Sequence, residues 1–363
     1  MSYLPLKFWT DVVHLFQEFE RSGLIPEAWN NIKQVHLPKP KKGKRIRDGA
    51  TDVATVRPIC IMSVRFRIHA SARFKSTSVQ GWLDTWWPAE AFGGRRGKSI
   101  DDALLQVQYH AERSKYIDAF DYSLAFDMAD PKIALAIFKH LGMPLGWSRL
   151  LNGLWTNQHG LLQYDHECSP SYENVTRSLP QGDPWSMAAM TAVLLPPIRS
   201  IAQTLPGTQA ITFVDDRAVI CDTVASCMEA TQHWNMWSAT LGLKENPNKE
   251  QFYHQTARGR AEFIQRDVNP EKIIESPNTG ACLKSTTARK LTEDEISHVK
   301  KAVRAAQRCA LLPLPPSQKM SFLAAVAVSK AAFGWHAYVL PRDTSRNFKK
   351  PLNLACGITN PLM

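Results

Sequence analysis

Apolar positions along the chain follow two periods, and the alternation between them lays out the elements. Residues 6–22 place Leu6, Phe8, Trp9, Val12, Val13, Leu15, Phe16 and Phe19 near helical spacing, which predicts an amphipathic helix ended by Ser22-Gly23. Pro26 opens a short turn through Trp29, and residues 32–37 alternate as a strand does. A helix is expected from about Ser63 past Phe74, another over residues 100–113, and a buried strand over 115–120. Asp130-Pro131 reads as the N-cap and first position of a helix reaching Gly142, and a further helix covers residues 147–155. Residues 160–178 suggest hairpin strands, and 184–204 a helix rich in Ala, Met and Leu. Residues 210–214 and 218–221 read as two short strands about a tight turn, followed by a helix over 224–241. Thr292 and Glu295 form a capping box that opens a helix to Cys309, residues 313–316 are a linker, and 317–335 a last helix. Strands and helices interleave irregularly, so the fold class is α+β.

Composition narrows the class. With 363 residues, 44% hydrophobic and 21% charged, the chain has the ordinary balance of a folded globular protein and room for two or three domain-sized units. No apolar run is long enough to span a membrane, so no membrane partner is expected, and residues 1–7 lack the basic start and apolar core of a signal peptide. The seven cysteines are odd in number and none shares C-x-x-C spacing, which speaks against a disulfide framework or zinc knuckle and for a reducing, intracellular setting. No His pair has metal-ligand spacing, so any metal is expected to be held by oxygen. The formal net charge of +11 favours a polyanion, most commonly nucleic acid. Lys39, Lys41, Lys42, Lys44, Arg45 and Arg47 form a basic loop, which by itself reads first as a solvated segment.

Two acidic segments carry the candidate chemistry. Asp121-Tyr122-Ser123-Leu124-Ala125-Phe126-Asp127 follows the apolar strand, and Phe213-Val214-Asp215-Asp216 sits between the two short strands. Adjacent carboxylates at a hairpin tip repel, and a cation removes that penalty. If the strands before Asp121 and Asp215 neighbour each other in one sheet, the carboxylates converge as two-metal phosphoryl transfer requires, with ions about 3.5–4 Å apart. Hard oxygen ligands favour Mg2+ or Mn2+, two ions per site. A lone Asp-Asp pair is more often a surface turn, Asp127 and Asp130 are explained by a helix start, and Asp118 reads as facing solvent at a strand edge.

Taken in order, these segments resemble the motifs of reverse transcriptases over about residues 6–255. The run from Ser22 to Trp29, leading to Leu37-Pro38-Lys39-Pro40, looks like the leading segment of the non-long-terminal-repeat retrotransposon (LINE-type) enzymes. Arg57-Pro58-Ile59 is similar to their fingers motif, and Phe92-Gly93-Gly94-Arg95-Arg96-Gly97-Lys98-Ser99 to their Gly-Phe-Arg-x-Gly-Arg-Ser segment. Leu179-Pro180-Gln181-Gly182-Asp183-Pro184-Trp185-Ser186 resembles the Gln-Gly-x-Pro-x-Ser motif, Phe213 to Asp216 the Tyr/Phe-x-Asp-Asp turn, and Gly242 to Lys249 the Gly-Leu-x-x-Asn-x-x-Lys segment. Val214, Trp185 and Gly94 depart from the usual residues, and Arg217 adds a positive charge directly after the aspartates.

The resemblance implies a right-handed polymerase with an antiparallel palm sheet carrying the catalytic aspartates. Its expected divisions are an N-terminal segment and fingers over 1–115, a palm over 116–255 with fingers elements around 140–180, a linker over 256–284, and a thumb-like helical region and tail over 285–363. It assigns metal binding to Asp121, Asp215, Asp216 and the carbonyl of Tyr122, and proton donation to the leaving pyrophosphate to Lys249. It assigns nucleotide contacts to Arg57, Phe126, Gln181 and Gly182, with Phe126 excluding a 2′-hydroxyl. Nucleic-acid contacts fall to Lys39, Lys41, Lys42, Lys44, Arg45, Arg47, Arg95, Arg96 and Lys98. The implied activity is RNA-directed DNA polymerisation, with an RNA template, a DNA or RNA primer and dNTPs as partners. The chain is then a standalone enzyme or a piece of a larger retroelement protein, and nuclear localisation suits it. Two alternatives keep the fold: an inactive nucleic-acid-binding scaffold derived from a retroelement, and an RNA-dependent RNA polymerase.

Overall fold

A computed structural model describes residues 5–38, 56–164 and 167–275, with scattered positions between 301 and 319. The basic residues Lys39, Lys41, Lys42, Lys44, Arg45 and Arg47 lie outside the described residues, as does most of the region expected to form the C-terminal helices.

Two five-stranded sheets organise the described chain. In the first, β1 (Asn31–Pro38) pairs antiparallel with β2 (Val56–Ile61) and parallel with β4 (Gln158–Tyr164), which also pairs β5 (Glu167–Cys168) and β6 (Glu173–Val175). The alternation over residues 32–37 and the hairpins over 160–178 are thus strands of one sheet. β2 was not expected, because Pro58 breaks the strand pattern; it is an edge strand, where a residue without an N–H is tolerated.

The second sheet has the order β10-β9-β3-β8-β7, with β3 (Tyr116–Phe120), β7 (Gln209–Phe213), β8 (Asp216–Cys221), β9 (Gln251–Tyr253) and β10 (Ile273–Ile274). The four strands β9, β3, β8 and β7 are antiparallel, but β10 joins parallel to β9, so the sheet is mixed at one edge. All five residues of β3 are buried because both faces of the sheet are covered. α9 (Val224–Leu241) packs on β3 and β8, and α4 (Ile100–Ala111) on β7 and β8 from the other side. Asp118, expected at a solvent edge, therefore lies in the interior, where it accepts a hydrogen bond from Thr231 Oγ1 at 2.6 Å.

The helices form where their caps dictate. α1 (Leu6–Ser22) ends at Gly23, whose φ of 71° lets its N–H reach Phe19 O. The helix expected from Ser63 past Phe74 is two: α2 (Val64–Phe74) stops, and Ser76 caps α3 (Thr77–Trp86). α5 (Ala125–Met128) is one turn, and Asp130 caps α6 (Pro131–His140) by accepting from Lys132 N at 2.8 Å. α7 (Leu145–Trp155) and α8 (Ser186–Thr204) complete a packed helical layer, in which α8 is buried almost all round and touches α6, α9 and β7. Trp155, Trp185, Trp234 and Phe138 are its largest anchors. The region from 256, expected to begin a linker, instead folds as α10 (Ala257–Ile264) and β10; Thr256 caps the helix and Phe263 is fully buried against Tyr116 and Phe252.

Candidate active site

β3 and β8 are direct neighbours, with Phe120 opposite Arg217, so the residues that follow β3 and precede β8 meet at one end of the sheet. Asp121 is the first residue beyond β3, and Val214-Asp215 form the turn of the β7–β8 hairpin, closed by the Phe213–Asp216 pair. Val214 has φ 61°, a left-handed conformation that a β-branched residue rarely adopts, and Leu124 in the loop after Asp121 has φ 55°. Strained backbone concentrates where surrounding structure fixes it. Here the fixing is visible: Phe92 N–H donates to Thr212 O at 2.9 Å, and a Cβ on Gly93 would stand 2.5 Å from Val214 Cγ2. Gly93 is what lets residues 90–94 lie flush against the acidic turn.

A cavity of about 470 Å³ opens at this end of the sheet and gathers Arg57, Asp121, Tyr122, Phe126, Gln181, Asp215 and Lys249 in its wall. Seven of the expected site residues, drawn from five segments, thus share one space. Asp216 does not line it but stands beside it on the hairpin. Arg95, Arg96 and Lys98 are outside the wall; Arg96 and Lys98 are exposed on the loop behind the turn, with the Lys98 ammonium 5.4 Å from the Phe92 ring. Gly182 is also outside the wall; with φ 129°, a Cβ there would meet Cys60 O at 2.8 Å.

The segments are tied together by main-chain hydrogen bonds. Cys60 N–H donates to Gln181 O at 2.8 Å and Leu179 N–H to Phe126 O at 2.8 Å, while Gln181 Nε2 reaches Asp127 Oδ2 at 3.3 Å. On the opposite side, Asn246 N–H donates to Asp121 O at 2.9 Å and Ser123 N–H to Lys244 O at 2.8 Å. Lys249 Nζ forms an ion pair with Asp121 Oδ2.

The carboxylates crowd one another in a buried setting, a penalty that a cation would relieve. Burial pushes the Asp215 carboxyl above its ordinary value, and the neighbouring Asp121 charge adds to this. Burial, then Asp215 and Asp121, push Asp216 up to about 7. Asp121 Oδ1 is buried without a hydrogen-bond partner among the described residues. Such an acceptor, with clustered carboxylates around it, suits a hard divalent cation. Among the described residues no three His, Cys, Asp or Glu side chains form a closed metal cage.

Arg217 lies beside the aspartates, as its position in the sequence implies, but its burial and its partner were not foreseen. Its guanidinium is fully buried beneath the acidic turn, and Glu245 takes up its charge through two hydrogen bonds of 2.6 and 3.0 Å. Neither the pairing nor the depth has a signal in a single sequence, since the partners are separated by the whole of α9.

The model of the family described as "Reverse transcriptase (RNA-dependent DNA polymerase)" matches residues 38–303, more than half of the chain. No curated protein matches. Among solved structures, the chain is similar to apo telomerase from Candida tropicalis truncated from its C-terminal domain, at 11% identity and a TM-score of 0.43. That likeness covers 68% of this chain and 55% of the other, so the chain spans about half the length of that protein.

Proposed function

The chain belongs to the reverse transcriptase (RNA-dependent DNA polymerase) family, and from that premise we propose that it extends a primer with dNTPs along an RNA template by metal-dependent nucleotidyl transfer. The observation that carries this reading is the convergence of Asp121 and Asp215, with Tyr122, Phe126, Gln181, Arg57 and Lys249, on one cavity. In this reading the sheet of β3 and β7–β10 with its helices is the palm, and the residues before 116, with elements around 140–180, form the fingers; the thumb expected from 285 onward falls almost wholly outside the described residues. The order of motifs from Ser22 to Lys249 supports the non-long-terminal-repeat branch.

Asp121, Asp215 and the main-chain carbonyl of Tyr122 would hold Mg2+ or Mn2+, with Asp216 beside them. Two such ions, when bound, would lower the pKa of the attacking hydroxyl and offset the charge that develops on the leaving pyrophosphate. The chain's own groups do the rest. Arg57, exposed at the cavity mouth, presents a guanidinium whose fork matches a triphosphate. Phe126, half-buried in the wall, faces the sugar and crowds out a 2′-hydroxyl. Gln181 is held between α5 and β2 and fixes the nucleotide's outer edge. Lys249, whose ammonium is paired with Asp121 in the cavity wall, would donate the proton to the pyrophosphate.

Primer extension on an RNA template, with Mg2+ or Mn2+ and either dNTPs or rNTPs, tests the reading against an Asp215→Ala/Asp216→Ala double variant. The expected result is extension with dNTPs alone, abolished in the variant. No extension by either protein, with template binding retained, would identify an inactive scaffold instead. Extension with rNTPs would indicate an RNA polymerase.

A further inference from the structure

We propose that Arg217 and Glu245 are positioning residues: together they set the separation of the two carboxylate-bearing turns and so the affinity of the site for divalent cations. The inference deepens the polymerase reading and rests on it.

The argument starts from what one guanidinium touches. Arg217 Nε donates to the main-chain oxygen of Asp215 at 3.2 Å, and its two terminal nitrogens form a fork on Glu245. Its Cζ lies 3.3 Å from the centroid of the Tyr122 ring, 4.5 Å from Phe120 and 5.5 Å from Trp234. The aromatic faces cage the cation and fix the plane of the fork. Glu245 is in turn bridged to Tyr122 through the main chain, and its neighbours Lys244 and Asn246 hold Ser123 and Asp121. Arg217 therefore joins the hairpin that carries Asp215 and Asp216, the loop that carries Asp121, and the segment that carries Lys249.

A directed chain of hydrogen bonds locks the other side of Glu245. Trp234 Nε1 can only donate, and it donates to Tyr122 Oη at 3.0 Å. Ser238 Oγ donates to the Glu245 carboxylate at 2.6 Å, so the 3.0 Å contact between Tyr122 and Ser238 has the phenol as donor. Each proton in the chain has one place to go, and all of them orient the carboxylate toward the fork.

Stability alone does not account for such a pair. Replacing a buried ion pair by apolar side chains of similar volume is often neutral or stabilising, because desolvation offsets the attraction. What apolar packing cannot reproduce is a planar fork that also grips the Asp215 main chain at a fixed distance. A lysine keeps the charge but loses the fork.

The test is Mn2+ binding to the full chain without nucleic acid, read from the electron paramagnetic resonance signal of free Mn2+. Wild type is compared with Arg217→Met/Glu245→Leu, which leaves no unpaired charge, and with Arg217→Lys. Circular dichroism and thermal unfolding report whether each folds. The expected result is folded variants whose Mn2+ dissociation constants rise about 10–100-fold, the range typical of groups that orient metal ligands. Primer extension in those variants should need correspondingly more Mn2+. A folded double variant that binds Mn2+ as wild type does would overturn the proposal. If the double variant does not fold, Arg217→Lys decides in the same way, and if neither folds the pair is a structural device and the proposal falls. A wild-type chain that binds no Mn2+ in the absence of nucleic acid removes this inference, as unchanged variants do, whereas the polymerase reading falls only if the wild-type chain also fails to extend a primer.

Discussion

Asp183 shows how a residue inside a recognisable motif can serve the fold. Only 4% of it is exposed, and its two oxygens accept from Trp155 Nε1 at 2.8 Å and from Trp185 N–H at 3.0 Å. Burial pushes its carboxyl up to about 6, against the opposing pull of those hydrogen bonds. The folded state thus keeps a proton that the unfolded chain has released between about pH 4 and pH 6. Stability contributed by this group is greatest below that window, falls as pH rises through it, and is level above it. Asp183→Asn is expected to flatten that slope. It should also cost about 1–3 kcal/mol, since an amide cannot accept from both donors without leaving one unpaired. Urea unfolding midpoints measured from pH 4 to pH 7 check both; an unchanged slope in the variant would rule out Asp183 as its source. The motif was legible in the sequence, but the division of labour within it was not. Gln181 faces the cavity while Asp183 and Trp185 face the core, and that depends on packing from α2 and α7.

Between elements, the close approach of residues 90–94 to the β7–β8 hairpin is the contact with most consequence. The hairpin turn carries its strain at Val214, and the loop braces it through Phe92, Gly93 and the parallel Ala91–Thr212 bridge. Gly93→Ala puts a methyl group where Val214 Cγ2 and Val214 N stand 2.5 and 2.6 Å away, so the turn or the loop must move. Overpacking of this kind costs about 1–3 kcal/mol. A displacement near 1 Å at reacting groups can lower turnover about 100-fold. The expected outcome is a variant that still unfolds cooperatively but extends primers at least about tenfold more slowly; wild-type kcat would show that the brace is dispensable. At this scale the sequence revealed the long helices α1, α8 and α9, α1 by its hydrophobic stripe and α8 by a long apolar run. It concealed β2, interrupted by Pro58, the break at Lys75-Ser76, where no Gly or Pro punctuates the pattern, and the short β9 and β10, which exist only by pairing with β3 and with each other.

Across the whole molecule, a formal net charge of +11 accompanies an acidic cluster. The carboxylates of Asp121, Asp215 and Asp216 repel a polyanion, so nucleic-acid affinity has to come from cations placed around them. Arg96 and Lys98 are exposed on the loop that braces the acidic turn, and Arg57 is exposed at the cavity mouth. Each cation that neutralises a phosphate releases counterions, which makes affinity fall with salt by about 0.7–0.9 in logarithmic slope per contact. Replacing Arg96 and Lys98 with Gln should therefore weaken binding of an RNA–primer duplex and lower that slope by about 1–2 in total, equally for every sequence tested. Extension from saturating duplex should stay near wild type, because neither side chain lines the cavity. Fluorescence anisotropy between about 50 and 200 mM salt measures the slope. An unchanged slope would mean that these two charges are only solvated and that the excess charge acts elsewhere on the chain. A lowered slope with lost turnover would mean that the loop does more than hold the duplex, and that its brace on the acidic turn responds to what is bound.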